Sequence, residues 1–185
     1  MGRLILITGG VRSGKSSYAE ERAISMGEKI LYIATASGFD DEMRERIRQH
    51  RLRRPSSWET LEAFKDFGSV LPALLEGIDG ALLDCMTIMV TNIMLQEDVD
   101  WECPGTGEIN LIEKQVMAQV DELLTVIKDR EITFIIVTNE LGMGLVPPYA
   151  LGRAMRDIAG RVNQKLAKSA DEVYLCVSGI PIKIK

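Results

Sequence analysis

The stretch that most limits what this chain can fold into is residues 4–16, LILITGGVRSGKS, where an apolar run enters a glycine-containing loop that ends in Lys-Ser. Gly9, four residues, then Gly14, Lys15 and Ser16 complete the phosphate-loop spacing. Its flanks supply the context the pattern needs: residues 4–8 predict a short buried strand and residues 15–26 a helix. Along Gly9, Gly10, Val11, Arg12, Ser13 and Gly14 the backbone is expected to fold around a polyphosphate with its N–H groups inward. The helix N-terminus adds partial positive charge there. Lys15 is placed for the outer phosphates and the Ser16 hydroxyl for Mg²⁺. A chain built this way binds a nucleoside triphosphate.

A phosphate loop belongs to an α/β fold, and the rest of the chain reads accordingly. Residues 29–34, 81–84, 133–137 and 173–177 are further apolar runs, separated by helical stretches near 41–51, 87–95, 108–130 and from about 150 onward. Apolar strands alternating with amphipathic helices predict a mainly parallel sheet covered on both faces, a three-layer arrangement of the P-loop NTPase type. Residues 180–185 follow Ser178-Gly179 too closely for a crossover helix. They are expected to pair antiparallel as an edge strand with lysines facing water. Residues 96–107 read as a surface excursion, and one nucleotide-binding domain over 1–185 accommodates the whole chain.

Composition closes off other classes. With 46% hydrophobic and 26% charged residues the chain is an ordinary globular one, and a formal charge of −5 gives no footing for general nucleic-acid binding. Cys85, Cys103 and Cys176 form no CxxC pair and no even set, which predicts reduced thiols, the first and last packed in or beside strands. The apolar run at 4–7 is too short for a signal core and no apolar stretch is long enough to cross a bilayer, so a cytoplasmic location is expected.

A phosphate loop also needs a carboxylate at the end of a neighbouring strand to hold the metal's water shell. Asp84 fits and is favoured for it, closing the run Ala81-Leu82-Leu83; it could at the same time cap the helix that follows, for which Asp is a preferred residue. Asn139-Glu140, ending another strand, is the competing position. Residues 44–54 contain six arginines and His50, the chain's only histidine. Glu42 and Glu45 would make this a solvated helix face with spaced ion pairs. Alternatively, the guanidinium groups contact phosphate oxygens beyond the loop's reach, and a neutral imidazole attacks phosphorus. Spacing alone does not choose between them.

Several stretches together resemble a known family: GGVRSGKS, LYIATASGFDDEM (31–43), RIRQHRLRRPSSW (46–58), LLDCMTIMVTN (82–92), VTNELGMGLVP (137–147), RDIAGRVNQ (156–164) and SGIPIKIK (178–185). They are similar, in order and at matching spacing, to the bifunctional adenosylcobinamide kinase/adenosylcobinamide-phosphate guanylyltransferases of cobalamin biosynthesis. The resemblance implies two reactions. The hydroxyl of adenosylcobinamide takes the γ-phosphoryl group of ATP or GTP; the resulting phosphate then accepts GMP from a covalent enzyme–guanylate, giving adenosylcobinamide-GDP. His50 matches the guanylylated histidine of the family. By matched position Thr35, Ala36, Ser37 and Glu62 are expected at the base and ribose, and Arg51, Arg53 and Arg54 at the phosphates. Glu62 could accept from the guanine N1 and N2 donors. The resemblance also implies a homotrimer.

Attack at the α-phosphorus requires either that the His50 tract swings, with Gly38 and Asp40-Asp41 as a hinge, or that the nucleotide is held differently in the two steps. The loop at 139–147 is expected at the ligand-binding edge of the sheet, with Met143 and Leu145 facing either a corrinoid or the core. Arg153, Arg156 and Arg161 share one helix and read as phosphate contacts, solvated groups or subunit-facing groups. Two rival readings remain, a kinase with γ-transfer only and a slowly turning nucleotide-dependent regulator.

Overall fold

Buried apolar runs dictate the sheet. The computed structural model describes residues 2–36 and 55–185, and within them seven strands form one sheet. In chain order the elements are β1 (Arg3–Gly9), α1 (Lys15–Ile24), β2 (Ile30–Ala34), β3 (Glu59–Glu62), α2 (Phe67–Leu74), β4 (Gly80–Asp84), α3 (Met86–Gln96), α4 (Thr106–Lys128), β5 (Thr133–Val137), α5 (Ala150–Ser169), β6 (Glu172–Val177) and β7 (Ile180–Lys183). The strand order is β3-β2-β4-β5-β1-β6-β7. Every neighbouring pair is parallel except β6–β7. Helices on both faces make this the three-layer, P-loop NTPase-type α/β arrangement that the alternation of runs predicts.

Alternate residues of the central strands feed two cores. Leu4, Leu6, Leu83, Phe134 and Ile136 pack against α2, α3, α4 and α5, while Ile5, Ile7, Leu82, Ile135 and Val137 pack against Ala19 and Ala23 of α1. Trp58 joins the α1 side, its ring stacked on Tyr32 at a centroid distance of 6.4 Å. Cys85 and Cys176 are buried in this layer and Cys103 is exposed.

The antiparallel edge forms as the spacing requires. Ser178 (φ 52°) and Gly179 (φ 84°) both take left-handed conformations, as a two-residue hairpin turn whose twist matches its strands demands. The lysines of this edge are exposed yet engaged: Lys183 lies 3.1 Å from Glu172, and Lys185 Nζ donates to the Ala167 and Lys168 carbonyls. Glu172 is buried and also binds Arg3 and the Tyr174 hydroxyl, so the acid is neutralised where β6 begins.

Two elements go beyond the sequence reading. β3 is a four-residue edge strand with three exposed positions, and α2 is a short helix containing Pro72. The segment at 96–107 runs over the surface but is anchored by Val99 and Trp101 against the larger core; Glu108 Oε2 then accepts from Gly105 N at 2.7 Å as α4 starts. The helix expected at 41–51 lies outside the described residues. Among the described residues no helix is long and apolar enough to cross a membrane.

The short α2 is held by Phe67, which is fully buried against α4. We expect Phe67→Ala to lower unfolding stability by about 3–5 kcal/mol through lost transfer energy and the cavity left behind. Denaturant titration reads this as a lower midpoint at constant slope; an unchanged midpoint would show that α2 is not part of the cooperative core.

Candidate active site

Carboxyl ends of parallel strands lie on one edge of the sheet, so topology gathers Gly9, Ala34, Glu62, Asp84 and Val137 there. The loop after β1 is compact. Gly14 sits at φ 90°, and a Cβ on it would stand 2.8 Å from the Gly179 Cα, so only glycine fits both the conformation and the space. Gly179 N also donates to Ser13 O at 2.9 Å, which makes the β6–β7 turn one wall of the loop. No side chain caps α1, whose N-cap is Gly14, which leaves its leading N–H groups without a side-chain acceptor where the loop ends.

Lys15 is buried and its Nζ donates to Gly10 O at 3.0 Å. Burial lowers its pKa below the ordinary lysine value; Cys85, the Asp84 carboxylate and Cys176 act in the opposite direction. Asp84 is thus close enough for its charge to be felt at Lys15. Burial, reinforced by Asp84, pushes the Cys85 thiol up to about 12, which leaves it a neutral thiol at this edge. Ser16 and Asp84 are both half-buried, whereas Gly10, Val11 and Arg12 are exposed. The Ser13 hydroxyl is buried without a hydrogen-bond partner among the described residues. The helix cap that Asp84 could have formed falls instead to Cys85, with no side-chain bond.

A cleft of about 420 Å³ opens where β2 and β3 end, lined by Thr35, Ala36, Glu62, Phe64, Lys65 and Val70. That volume is within the range of small-molecule sites. Three residues grouped only by family matching therefore share one wall. Ser37, His50, Arg51, Arg53 and Arg54 lie outside the described residues, as do Gly38 and Asp40-Asp41.

Sequence reasoning passed over the polar seam that fixes this edge. Thr35 Oγ1 donates to Cys85 O at 2.7 Å and accepts from Cys85 N at 2.9 Å. Asn92, buried on α3, donates to Thr35 O at 2.7 Å. Farther along, the Thr87 and Thr138 hydroxyls are 3.3 Å apart, and Thr138 Oγ1 donates to Asn163 Oδ1 at 2.7 Å. The cleft wall, Asp84 and the exit of β5 are thus tied to one another and to α3 and α5. The only signal in the sequence is a threonine just after the apolar runs of β2 and β5.

The loop after β5 is outward-facing. Met143 is 83% and Leu145 97% exposed, so neither enters this chain's core. Arg156 donates to the Gly142 and Gly144 carbonyls and Arg153 to those of Pro147 and Pro148, while Arg161 pairs with Glu113. These arginines hold the loop and the neighbouring helix, a use that spacing on one helix did not suggest. Glu140, the competing acid, accepts from Gly142 N at 2.7 Å.

Comparison with known proteins identifies the family. Residues 5–184 match the family described as cobinamide kinase / cobinamide phosphate guanyltransferase (CobU). The chain is 43% identical over 182 residues to the bifunctional adenosylcobalamin biosynthesis protein CobU of Escherichia coli, covering 98% of this chain and 99% of that one. The CobU protein of Salmonella typhimurium is equally similar, 43% over 182 residues with the same coverage. The bifunctional adenosylcobalamin biosynthesis protein CobP of Pseudomonas aeruginosa is 36% identical over 180 residues, 97% of this chain and 96% of that one. With a family match from end to end and relatives this similar, the chain belongs to the cobinamide kinase / cobinamide phosphate guanyltransferase family.

Proposed function

We propose that this chain phosphorylates adenosylcobinamide with ATP or GTP and then transfers GMP from GTP to the product, through a covalent guanylate on His50. The family membership supports the pair of reactions. The observation that carries the nucleotide chemistry is the shared edge, with the phosphate loop at β1 and the Glu62 cleft at β2–β3. Three strand spacings separate β1 from β2, about 14 Å. One extended nucleotide can rest its phosphates on the loop and its base in the cleft.

In the kinase step the acceptor hydroxyl oxygen attacks the γ-phosphorus. The bond to the β–γ bridging oxygen breaks, the nucleoside diphosphate leaves and the hydroxyl proton passes to solvent. Lys15 and the N–H groups from Gly9 to Ser16 hold the outer phosphates. Ser16 and Asp84 are hard oxygen donors that suit a Mg²⁺ carried by the phosphates, an ion that needs only one or two protein oxygens; when bound, it neutralises phosphate charge.

In the second step an imidazole nitrogen of His50 attacks the α-phosphorus of GTP, forming a P–N bond as pyrophosphate departs. A phosphate oxygen of adenosylcobinamide phosphate then attacks the same phosphorus. The P–N bond breaks, the histidine is restored and adenosylcobinamide-GDP is released. Arg51, Arg53 and Arg54 would offset charge on the transition state and leaving group. Thr35, Ala36 and Ser37 would line the base and ribose, with Glu62 accepting from guanine N1 and N2. The whole chain would work as one cytoplasmic nucleotide-binding domain, assembled as a homotrimer.

Incubation with α-³²P-GTP should label the protein through a bond that is acid-labile and base-stable. His50→Ala should abolish the label while phosphorylation of adenosylcobinamide continues; label retained in that variant would remove His50 from the chemistry. Replacing Glu62 by Gln should reduce the preference for GTP over ATP in guanylate formation by roughly 10- to 100-fold, the worth of a two-bond base contact. An unaltered preference would assign base selection to other groups.

A further inference from the structure

At the carboxyl end of β5 stands a polar residue whose backbone is fixed and whose side chain is not. Asn139 N donates to Thr87 Oγ1 at 2.7 Å, and its carbonyl accepts from Asn163 Nδ2 at 3.0 Å. Its neighbours continue the parallel ladder past the strand: Thr138 N donates to Ile7 O at 3.0 Å and Glu140 N to Gly9 O at 3.0 Å. The backbone is therefore extended through 138–140, and successive side chains point to opposite faces. Phe134 and Ile136 enter the core under α2–α5, and Thr138 follows them with its hydroxyl on Thr87 and Asn163. Ile135 and Val137 enter the α1 layer, so Asn139 projects on the α1 side, above Val137.

Val137 is in register with Ile7 on one neighbouring strand and with Asp84 on the other. The Asn139 carboxamide accordingly stands between the start of the phosphate loop and Asp84. It is half-buried, and among the described residues it has no hydrogen-bond partner. Lys15, the loop's group for outer phosphates, lies within reach of the Asp84 charge. The carboxamide therefore shares the outer-phosphate end of the site. A primary amide brings two N–H donors on a backbone that cannot drift.

We propose that Asn139 is a substrate-contacting residue of the phosphoryl-transfer step, its Nδ2 donating to an oxygen of the nucleotide γ-phosphate. This rests on the reading that the loop holds a triphosphate for γ-transfer. The contact belongs to the third phosphate, so it separates triphosphate from diphosphate binding.

Calorimetric titration of the full chain with a β,γ-imido GTP analogue and with GDP tests it. Asn139→Ala should lower the triphosphate-to-diphosphate affinity ratio about tenfold, the worth of one hydrogen bond to a charged group. GDP affinity and thermal midpoint should stay within twofold and a degree or two of wild type. Asn139→Asp, which keeps the size but replaces the donors with a negative charge, should lower the ratio further. The kinase kcat of the alanine variant should fall by about 10- to 100-fold. An unchanged ratio, or equal weakening of both nucleotides, would overturn the contact, the second outcome marking a structural role. Because the binding ratio needs no acceptor, it decides the contact even if wild-type protein phosphorylates no corrinoid, a result that would instead sink the kinase reading.

Discussion

β1 is hydrogen-bonded in parallel to β5 on one side and to β6 on the other, and both pairings reach to or beyond the point where the strand gives way to the phosphate loop. Gly9 is in register with Cys176, while its carbonyl accepts from Glu140 N. Within the loop the Lys15 side chain bonds the Gly10 carbonyl, and the loop's position on the sheet is set by what adjoins it. The β6–β7 turn completes that support. Gly179 meets Ser13 and crowds Gly14, so an edge hairpin that could have been a mere terminus becomes the outer wall of the loop.

The same placement sets the electrostatics. Lys15 gives up water to occupy the loop, and burial alone would favour its neutral form. The Asp84 charge acts against that loss, and the Gly10 carbonyl accepts from Lys15 Nζ. Cys85 next to Asp84 is pushed the other way and stays a thiol. Around the loop the edge therefore sets the buried Lys15 near the Asp84 carboxylate without a competing Cys85 thiolate, an arrangement suited to phosphate rather than thiol chemistry.

What could be read from residues alone follows how local each cause is. β1, β2, β4, β5 and β6 are continuous buried runs, and the Ser178-Gly179 turn is a local signal, so these elements and the antiparallel edge are visible in the chain itself. β3 hides because an edge strand with three exposed residues carries no apolar run, and α2 because Pro72 interrupts a helix only eight residues long. Lys15 and Asp84 are legible from a motif and a strand end. Glu62 is not: it reaches the cleft only because β3 pairs with β2, a fact of topology, and resemblance had to supply it. The seam of Thr35, Asn92, Thr138 and Asn163 joins residues 24 to 57 positions apart, and no periodicity encodes such pairs.

That seam also bears on how one edge could serve attack at two different phosphorus atoms. Thr35 and Thr138 are buried, and the hydroxyl of each is engaged by a neighbouring element. Sliding the cleft wall against Asp84, or the β5 exit against the loop, would break those bonds and leave buried groups unpaired at about 1–3 kcal/mol each. Several such bonds would have to fail together, which makes the described edge a fixed frame and not a hinge. The change between transfer of the γ-phosphoryl group and transfer of GMP then falls to the nucleotide and to the group that attacks it. On the roles proposed above, Lys15, Asp84 and Asn139 would meet the outer phosphates and Glu62 the base, so a fixed frame requires no residue to serve both ends of the nucleotide.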